Sequence, residues 1–596
     1  MGSRIDVARN RTRVNILGLV YTSHDAGLAL LSDGKPNVIL EEERFNRIKH
    51  TLKYPRMALD TVFGPGGFMR LDDIDVITCP WNMKRIRRAL LGAVFSQLPA
   101  SLNLLRSEAH RTHTVGLLNV PNRLKLGLWH QFGLRRLPPI VQVGHHESHA
   151  AVFFVSPFEE ATVLVADGYG DDGATSAWTG RGNRLLRQWS DPMFDSLGML
   201  YTCVSEHLGF PYFQEGTVMA LAAMGGPTYK DKFSELIRLL PQGRIEVNKE
   251  LINYPTHGLI EPFKPRFYEM FGPRRKSNEP LTAHHHDIAW ALQHWTEEAL
   301  LHMTRELYRV HKSKNLVISG GVALNCVANA RILRETDFER VWVPPVASDT
   351  GACFGSALYH WHQTLGNKRD FELTHAFYGK AYSDEEIVQA LNEAGLVYER
   401  MEEGALLKRV AQDLADMKIV GWFQGRAEIG PRALGNRSIL SSATTNKMKD
   451  LINARIKHRE AFRPFAPVVL IERLEEFFEY AHPDPFMTVA PMIRKDKVAQ
   501  IPAAAHVDGT GRIQTIDRKA NPRYYGVIEE YAKLTGIPVI LNTSFNRQEP
   551  VVNGPAEAIS CYLRTDMDRL VLGDYYIMDR NEAAISRAFQ KFKKAA

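Results

Sequence analysis

Residues 14–43 read VNILGLVYTSHDAGLALLSDGKPNVILEEE, and residues 161–190 read ATVLVADGYGDDGATSAWTGRGNRLLRQWS. Each is an apolar run, a turn rich in Gly and Asp, a second extended run, another glycine turn and a third run. Aliphatic and β-branched residues between such turns predict consecutive β-hairpins. Meeting the same plan twice predicts two related halves whose first turns face a shared cleft. Later, a helix is predicted from about Ala283 to His311. It leads into NLVISGG, a buried strand turning through Gly320 and Gly321 into a helix over VALNCVANARIL. A strand that turns through glycines into a helix can present backbone N–H groups to an anion or nucleotide, here with Asn325 close by. RVWVPP is a further strand, and ASDTGACFGSAL places Asp349 at a strand-to-helix turn.

The polar stretch GNKRDFELTHAF ends this domain, so the expected division is 1–368 and 369–596. The second domain centres on residues 421–470, GWFQGRAEIGPRALGNRSILSSATTNKMKDLINARIKHREAFRPFAPVVL. An apolar strand gives way to a loop carrying Arg426, Arg432 and Arg437. A helical stretch ends at Lys457, His458 and Arg459, and Arg463 follows in a Phe-Arg-Pro-Phe turn. These cations lack helical spacing and lie among aromatics, which predicts a pocket for a multiply charged anion rather than a solvated basic face. GIPVILNTSFN is a strand ending in a polar turn with Asn542, Ser544 and Asn546, and residues 583–596 read as a terminal helix.

At 596 residues, 44% hydrophobic and 24% charged, the chain has the composition of a globular protein of more than one domain. No run of about 18 apolar residues occurs, so no membrane span and no membrane partner are expected. The N-terminus reads as a first strand rather than a signal peptide. Five scattered cysteines without a CxxC pattern point to a reducing cytoplasm and away from zinc knuckles. The net charge of +7 is local, because residues 83–136 hold ten Lys/Arg against Glu108 alone, +9, leaving the rest at −2. Nucleic-acid binding is therefore not expected from the charge itself. That segment reads as a helical insertion broken by Pro99 and Pro121. It suits a surface helix pair, an oligomer contact (a homodimer), a wall of the acceptor pocket or a surface for an anionic partner.

HHESH at 145–149 puts His145 and His149 on one face if it is helical. With Asp167 and Asp349, each ending an apolar strand, it forms an N/O donor set suited to Fe(II), Mn(II) or Zn(II). His24, beside Asp25 in the first turn, reads equally as a satisfied turn histidine and as a general base.

SHDAG, EEERFNRIKH, GHHESHAA, GGVALN, SDTGA, GRAEIGPRALGNRSI, the KHRE–FRPFAP stretch and LNTSFN occur in this order across nearly the whole chain. Together they resemble the O-carbamoyltransferases of natural-product biosynthesis. The resemblance implies an α/β protein with an actin-like, duplicated (ASKHA-type) N-terminal domain and a YrdC-like C-terminal domain. The second domain would make carbamoyl adenylate from carbamoyl phosphate and ATP, with Mg2+ accompanying the nucleotide. The first, with an iron site, would pass the carbamoyl group to a hydroxyl of a small molecule. Carried over by motif, the metal ligands are His145, His149, Asp167 and Asp349, and the base is His24. Arg432, Lys457, Arg463, Arg512 and Ser544 cradle phosphate and adenylate. Thr217 stands where relatives carry Lys, which removes a cation near the nucleotide. Two other readings use the same domain types: threonylcarbamoyl-adenosine synthesis on tRNA, and a non-catalytic nucleotide-binding module.

Overall fold

The computed structural model describes residues 13–21, 24–105, 119–133, 137–259, 261–460, 462–578 and 580. Part of the basic insertion (106–118, 134–136) and the expected terminal helix lie outside them.

Both hairpin units form as the glycine turns require. β1 (Asn15–Val20), β2 (Gly27–Ser32) and β3 (Lys35–Glu41) run antiparallel, and β4 (Val76–Cys79) and β5 (Ile140–Gln142) extend the sheet on the parallel side, in the order β3-β2-β1-β4-β5. In the second half, β6 (Glu160–Ala166), β7 (Thr175–Arg181) and β8 (Arg184–Asp191) repeat the meander. A small ribbon of β9 (Ile237–Leu240) and β10 (Arg244–Val247) intervenes. β11 (Asn315–Ser319) and β12 (Arg340–Trp342) then add parallel strands, giving β12-β11-β6-β7-β8. The two orders match strand for strand, which is the duplicated actin-like α/β plan. The first two strands are buried along their whole length, as strands covered on both faces must be, and their sequences are accordingly continuous apolar runs.

The helix Ala352–Leu358, buried at every residue, packs on both β1 and the helix His145–Ala150, tying the two halves together. Phe153 and Phe154 are fully buried beneath it, each stabilising the fold by about 1.5–3 kcal/mol relative to exposure.

The third sheet has eight strands: β13 (Glu399–Arg400), β14 (Val420–Phe423), β15 (Arg437–Ser442), β16 (Ala466–Leu470), β17 (Gln514–Ile516), β18 (Val539–Ser544), β19 (Arg569–Leu572) and β20 (Tyr575–Ile577). Their order is β13-β20-β19-β14-β15-β18-β16-β17, mixed parallel and antiparallel. The loop between β14 and β15 is the Arg-rich stretch singled out in the sequence.

The EEER segment after β3 grips this loop. Glu41 Oε1 accepts from Gly430 N at 2.5 Å, Arg44 Nη2 donates to Gly430 O at 2.6 Å, and Arg44 Nε donates to Glu41 at 3.0 Å. Arg47 donates to the carbonyls of Pro550 and Val551. In the insertion, Pro121 does not break a helix but starts one, Val120–Phe132, where a missing N–H costs nothing.

Candidate functional site

Three strand ends and one hairpin turn converge between the two halves. The helix His145–Ala150 follows β5, Asp167 follows β6, and Asp349 opens a single 3-10 turn beyond β12. His145 Nε2 lies 3.1 Å from Asp167 Oδ2, 3.3 Å from Asp349 Oδ1 and 3.2 Å from His149 Nε2. His149 Nε2 lies 3.6 and 3.4 Å from the same two oxygens, and all four residues are buried. Burial disfavours the charged imidazoles, but the two carboxylates outweigh it. Both histidines are held above their usual range and both aspartates below theirs.

The surroundings aim these groups. The Pro80 carbonyl lies 3.3 Å from His145 Nδ1, leaving Nε2 to face the carboxylates, and Trp81 stacks on the ring at 4.0 Å. Asp171 accepts from His145 N at 2.8 Å. Asp167 Oδ1 accepts from Gly321 N at 2.9 Å. Two imidazole nitrogens and two carboxylate oxygens converging without a thiolate fit a borderline divalent transition ion.

Gly320 sits at φ +90°, where a Cβ would lie 2.2 Å from Ala166 O, and this backbone delivers the Gly321 N–H to the Asp167 carboxylate. Asn325 caps the helix Cys326–Glu335 through Ala328 N and exchanges amide hydrogen bonds with Gln293.

His24, in the turn between β1 and β2, points Nδ1 at Asp25 Oδ2 (3.0 Å) and Nε2 towards Asp349 Oδ2 (3.8 Å). Burial lowers its pKa, but Asp349 and Asp25 outweigh that and push it up to about 10. Asp25 is shared, its other oxygen lying 2.8 Å from His50 Nδ1. Phe213, at φ +66°, stacks on His50 at 4.1 Å and leans on His24 at 4.9 Å. Asp25 and His50 stand within the SHDAG and RIKH motifs, but only the fold shows that they hold one another. Phe213 gave no signal in sequence.

The second cluster lies across the domain boundary. Arg432 and Arg512 each bury an Nε that has no hydrogen-bond partner. Burial, then Arg512, pushes Arg432 down to about 9, with Arg463 adding to the effect. Arg459, which the sequence placed in the cationic stretch but not in the cradle, is likewise pushed down to about 9 by burial, Arg463 and Arg512. Arg463 has Glu460 at 3.9 Å as a partial counter-charge. Four guanidinium groups within one another's field, with two partnerless nitrogens, make a receptor for a multiply charged anion.

Lys457 is placed differently. Its Nζ contacts Ser544 O (2.6 Å), Ser544 Oγ (3.3 Å), Asn546 O (2.8 Å) and Asn546 Oδ1 (2.7 Å), and burial lowers its pKa. It thereby fixes the polar turn after β18.

Two arginines expected in the anion pocket are not in it. Arg437 is wholly buried over the Phe423 ring at 3.6 Å and donates to the carbonyls of Gln424, Asn436 and Asn553. Arg426 donates to the carbonyls of Gly379, Tyr378 and Asn37. Both satisfy loop carbonyls that would otherwise be buried unpaired. Thr217 is buried on the helix Glu215–Ala222, with its hydroxyl unpartnered.

The two clusters are joined by residues 321–326. Gly321 holds Asp167, while Cys326 at the next helix start feels Arg512 and Arg432 and accepts from Ala490 N through its carbonyl.

A family model described as carbamoyltransferase N-terminus matches residues 15–358, and one described as carbamoyltransferase C-terminus matches residues 411–579. The uncharacterized protein sll1178 of Synechocystis sp. is 37% identical over 596 residues, covering 94% of this chain and 96% of its own. Nodulation protein NolNO of Sinorhizobium fredii is 37% identical over 574 residues, covering 94% of this chain and 79% of its own. Among solved structures, T. kodakarensis HypF aligns at 13% identity and a TM-score of 0.31, covering 59% of this chain and 48% of that one.

Proposed function

We propose that this chain, which belongs to the carbamoyltransferase family, is an ATP-dependent O-carbamoyltransferase that works in two steps. Residues 369–596 would form carbamoyl adenylate, and residues 1–368 would pass its carbamoyl group to a hydroxyl of a small-molecule acceptor.

In the first step water hydrolyses carbamoyl phosphate to carbamate and phosphate, and a carbamate oxygen then attacks the α-phosphorus of ATP, giving carbamoyl adenylate as pyrophosphate leaves. Arg432, Arg459, Arg463 and Arg512 hold the phosphoryl oxygens and stabilise the charge that develops on them. Ser544, which the family resemblance adds to this cradle, is fixed by Lys457, and its hydroxyl donates to Asn546 Oδ1 at 2.8 Å. Adenylation turns an unreactive carbamate into an electrophile with a good leaving group.

In the second step the acceptor oxygen attacks the carbamoyl carbon and AMP leaves. Asp25 holds the Nδ1 side of His24, so that Nε2 faces the site and takes the hydroxyl proton. His145, His149, Asp167 and Asp349 would hold a divalent metal, with iron as the family's expectation. Such an ion supplies Lewis-acid polarisation and cancels the carboxylate field that keeps His24 protonated. Mg2+ would accompany ATP. Doing both steps in one chain keeps a water-sensitive intermediate from bulk solvent.

The observation that most supports this reading is the pair of partnerless buried nitrogens on Arg432 and Arg512, set beside the residues that lead to the His/Asp cluster. The test is pyrophosphate release from ATP with and without carbamoyl phosphate. Release should depend on carbamoyl phosphate and disappear in Arg463→Ala. Release that ignores carbamoyl phosphate would overturn the proposal.

A further inference from the structure

We propose that the outward face of the helix Met83–Ser96 and the turn after it is a docking surface for a lipid bilayer with anionic headgroups. The helix rests on the first domain through Met83 and Ile86, which share a core with Leu124 and Leu128 of the helix Val120–Phe132. On its opposite side Lys84, Arg88, Leu91 and Phe95 recur at helical spacing and form one stripe, cationic at the start and apolar at the end. Phe95 is 68% exposed and Leu91 57%, and beyond the helix Leu98 and Leu102 are also exposed. A folded domain rarely leaves such a run of large apolar side chains against water without a partner for it.

The charge identifies that partner. Residues 83–105 and 119–133 contain six Lys/Arg (84, 85, 87, 88, 123, 125) and no Asp or Glu. Arg85 pairs with Glu147, while Lys84 and Arg88 stand exposed on the stripe. On the neighbouring helix Trp129 and Leu126 are exposed beside Arg123 and Lys125. A polyanion such as RNA would engage the cations and leave Leu91, Phe95, Leu98 and Leu102 in water. A bilayer with acidic headgroups takes up both, the cations at the headgroups and the apolar side chains at the acyl boundary. Docked in this way, the chain would lie on a membrane surface without crossing it.

The position has a consequence for catalysis. Lys84 and Arg87, with Asn82, Met83 and Gln142, line a cleft of about 470 Å³. The carboxylate of Asp171 accepts both Asn82 N, at the floor of that cleft, and His145 N. A hydroxyl compound carried by a lipid would therefore arrive one carboxylate away from the histidine cluster. This last point rests on the transfer reading, whereas the docking itself does not.

Flotation of the full-length protein with vesicles tests it, comparing phosphatidylcholine alone with phosphatidylcholine containing phosphatidylglycerol, at low and high salt. The wild type should float with the phosphatidylglycerol vesicles at low salt and be released at high salt. The double variant Leu91→Asp/Phe95→Asp should lose about tenfold or more of that binding while keeping the wild-type circular dichroism and melting temperature. No flotation of the wild type, or binding unchanged by the double substitution, overturns the proposal. A wild-type dimer that the double variant dissociates, without vesicle binding, would assign the face to a second copy of this chain. RNA retention insensitive to the double substitution would assign it to a nucleic acid. The outcome is independent of pyrophosphate release, so failure here and failure of the carbamoyl-transfer reading are separately visible.

Discussion

Replacing Arg432 by Met should make the ligand-free protein more stable and less active at once. Burial, and then Arg512, holds this guanidinium down to about 9 from 12.5. At about 1.36 kcal/mol per decade, the charged form is opposed by at most about 5 kcal/mol in the folded state. Relaxation and water in a cluster of effective dielectric about 20 reduce this, and about 2 kcal/mol is a reasonable working value. The sign follows from proton counting. A base whose pKa falls on folding binds more protons unfolded than folded between about pH 9 and 12.5. The penalty is therefore complete below about pH 9, and the folded state recovers stability only as pH rises through that window. Methionine keeps an unbranched apolar stem in the same space and removes the charge. At neutral pH the ligand-free variant should melt roughly 4–8 °C above the wild type, taking 2–4 °C per kcal/mol for a domain of this size. Its pyrophosphate formation should fall by about 10²–10³. ATP with carbamoyl phosphate should raise the melting temperature of the wild type and leave that of the variant nearly unchanged. Scanning calorimetry with and without ligands, paired with pyrophosphate release, checks all three. A ligand-free variant melting below the wild type would mean that Arg432 serves the fold, and the anion-cradle argument would fail.

Arg437→Met should instead lower stability by about 3–5 kcal/mol, because at least three buried carbonyls lose their donor, and denaturant unfolding will show it. His24→Gln should leave pyrophosphate formation intact and reduce transfer to an acceptor by about 10²–10⁴, so equal loss of both steps would refute the division of roles. Asp349→Asn should strip the metal, read by elemental analysis of the purified protein, with at least a tenfold loss of occupancy. Gly430→Ala should cost more than about 1 kcal/mol and weaken pyrophosphate formation, since the residue sits at φ +89° and a Cβ would lie 2.1 Å from Pro345 O.

The duplicated sheets were legible because strand periodicity and glycine turns are local properties, and both halves state them in the same words. The histidine pair and the two aspartates were legible for a similar reason, each closing an apolar strand. What sequence could not supply was the destination of each donor and acceptor. Gly320–Gly321 has the composition of an anion-binding turn, yet its N–H goes to Asp167. Arg426 and Arg437 have the composition of anion ligands, yet they satisfy carbonyls brought in from residues 37, 378, 379 and 553. Arg459 went unselected because burial and the guanidinium of Arg512, distant in the chain, join the nearby Arg463 in acting on it. These outcomes depend on partners that only tertiary contact assembles, and one Arg in a loop looks like another until those partners are placed.

The same contacts tie together the loops that carry the two clusters. Glu41 and Arg44 of the first domain hold both the N–H and the C=O of Gly430, two residues before Arg432. Pro345, whose carbonyl allows no side chain at Gly430, lies four residues before Asp349. The loop carrying Arg432 and the loop carrying Asp349 are therefore pressed against each other, with a buried ion pair closing the third side. A buried Glu–Arg pair contributes little net stability once both charges are desolvated. Burial in fact pushes the Glu41 carboxyl up to about 7, against the pull of Arg44. Its value is geometric: it fixes the orientation of one domain on the other. On the proposed two-step reading, an intermediate made at the guanidinium cluster and used at the histidine cluster would need that orientation more than either step needs extra stability.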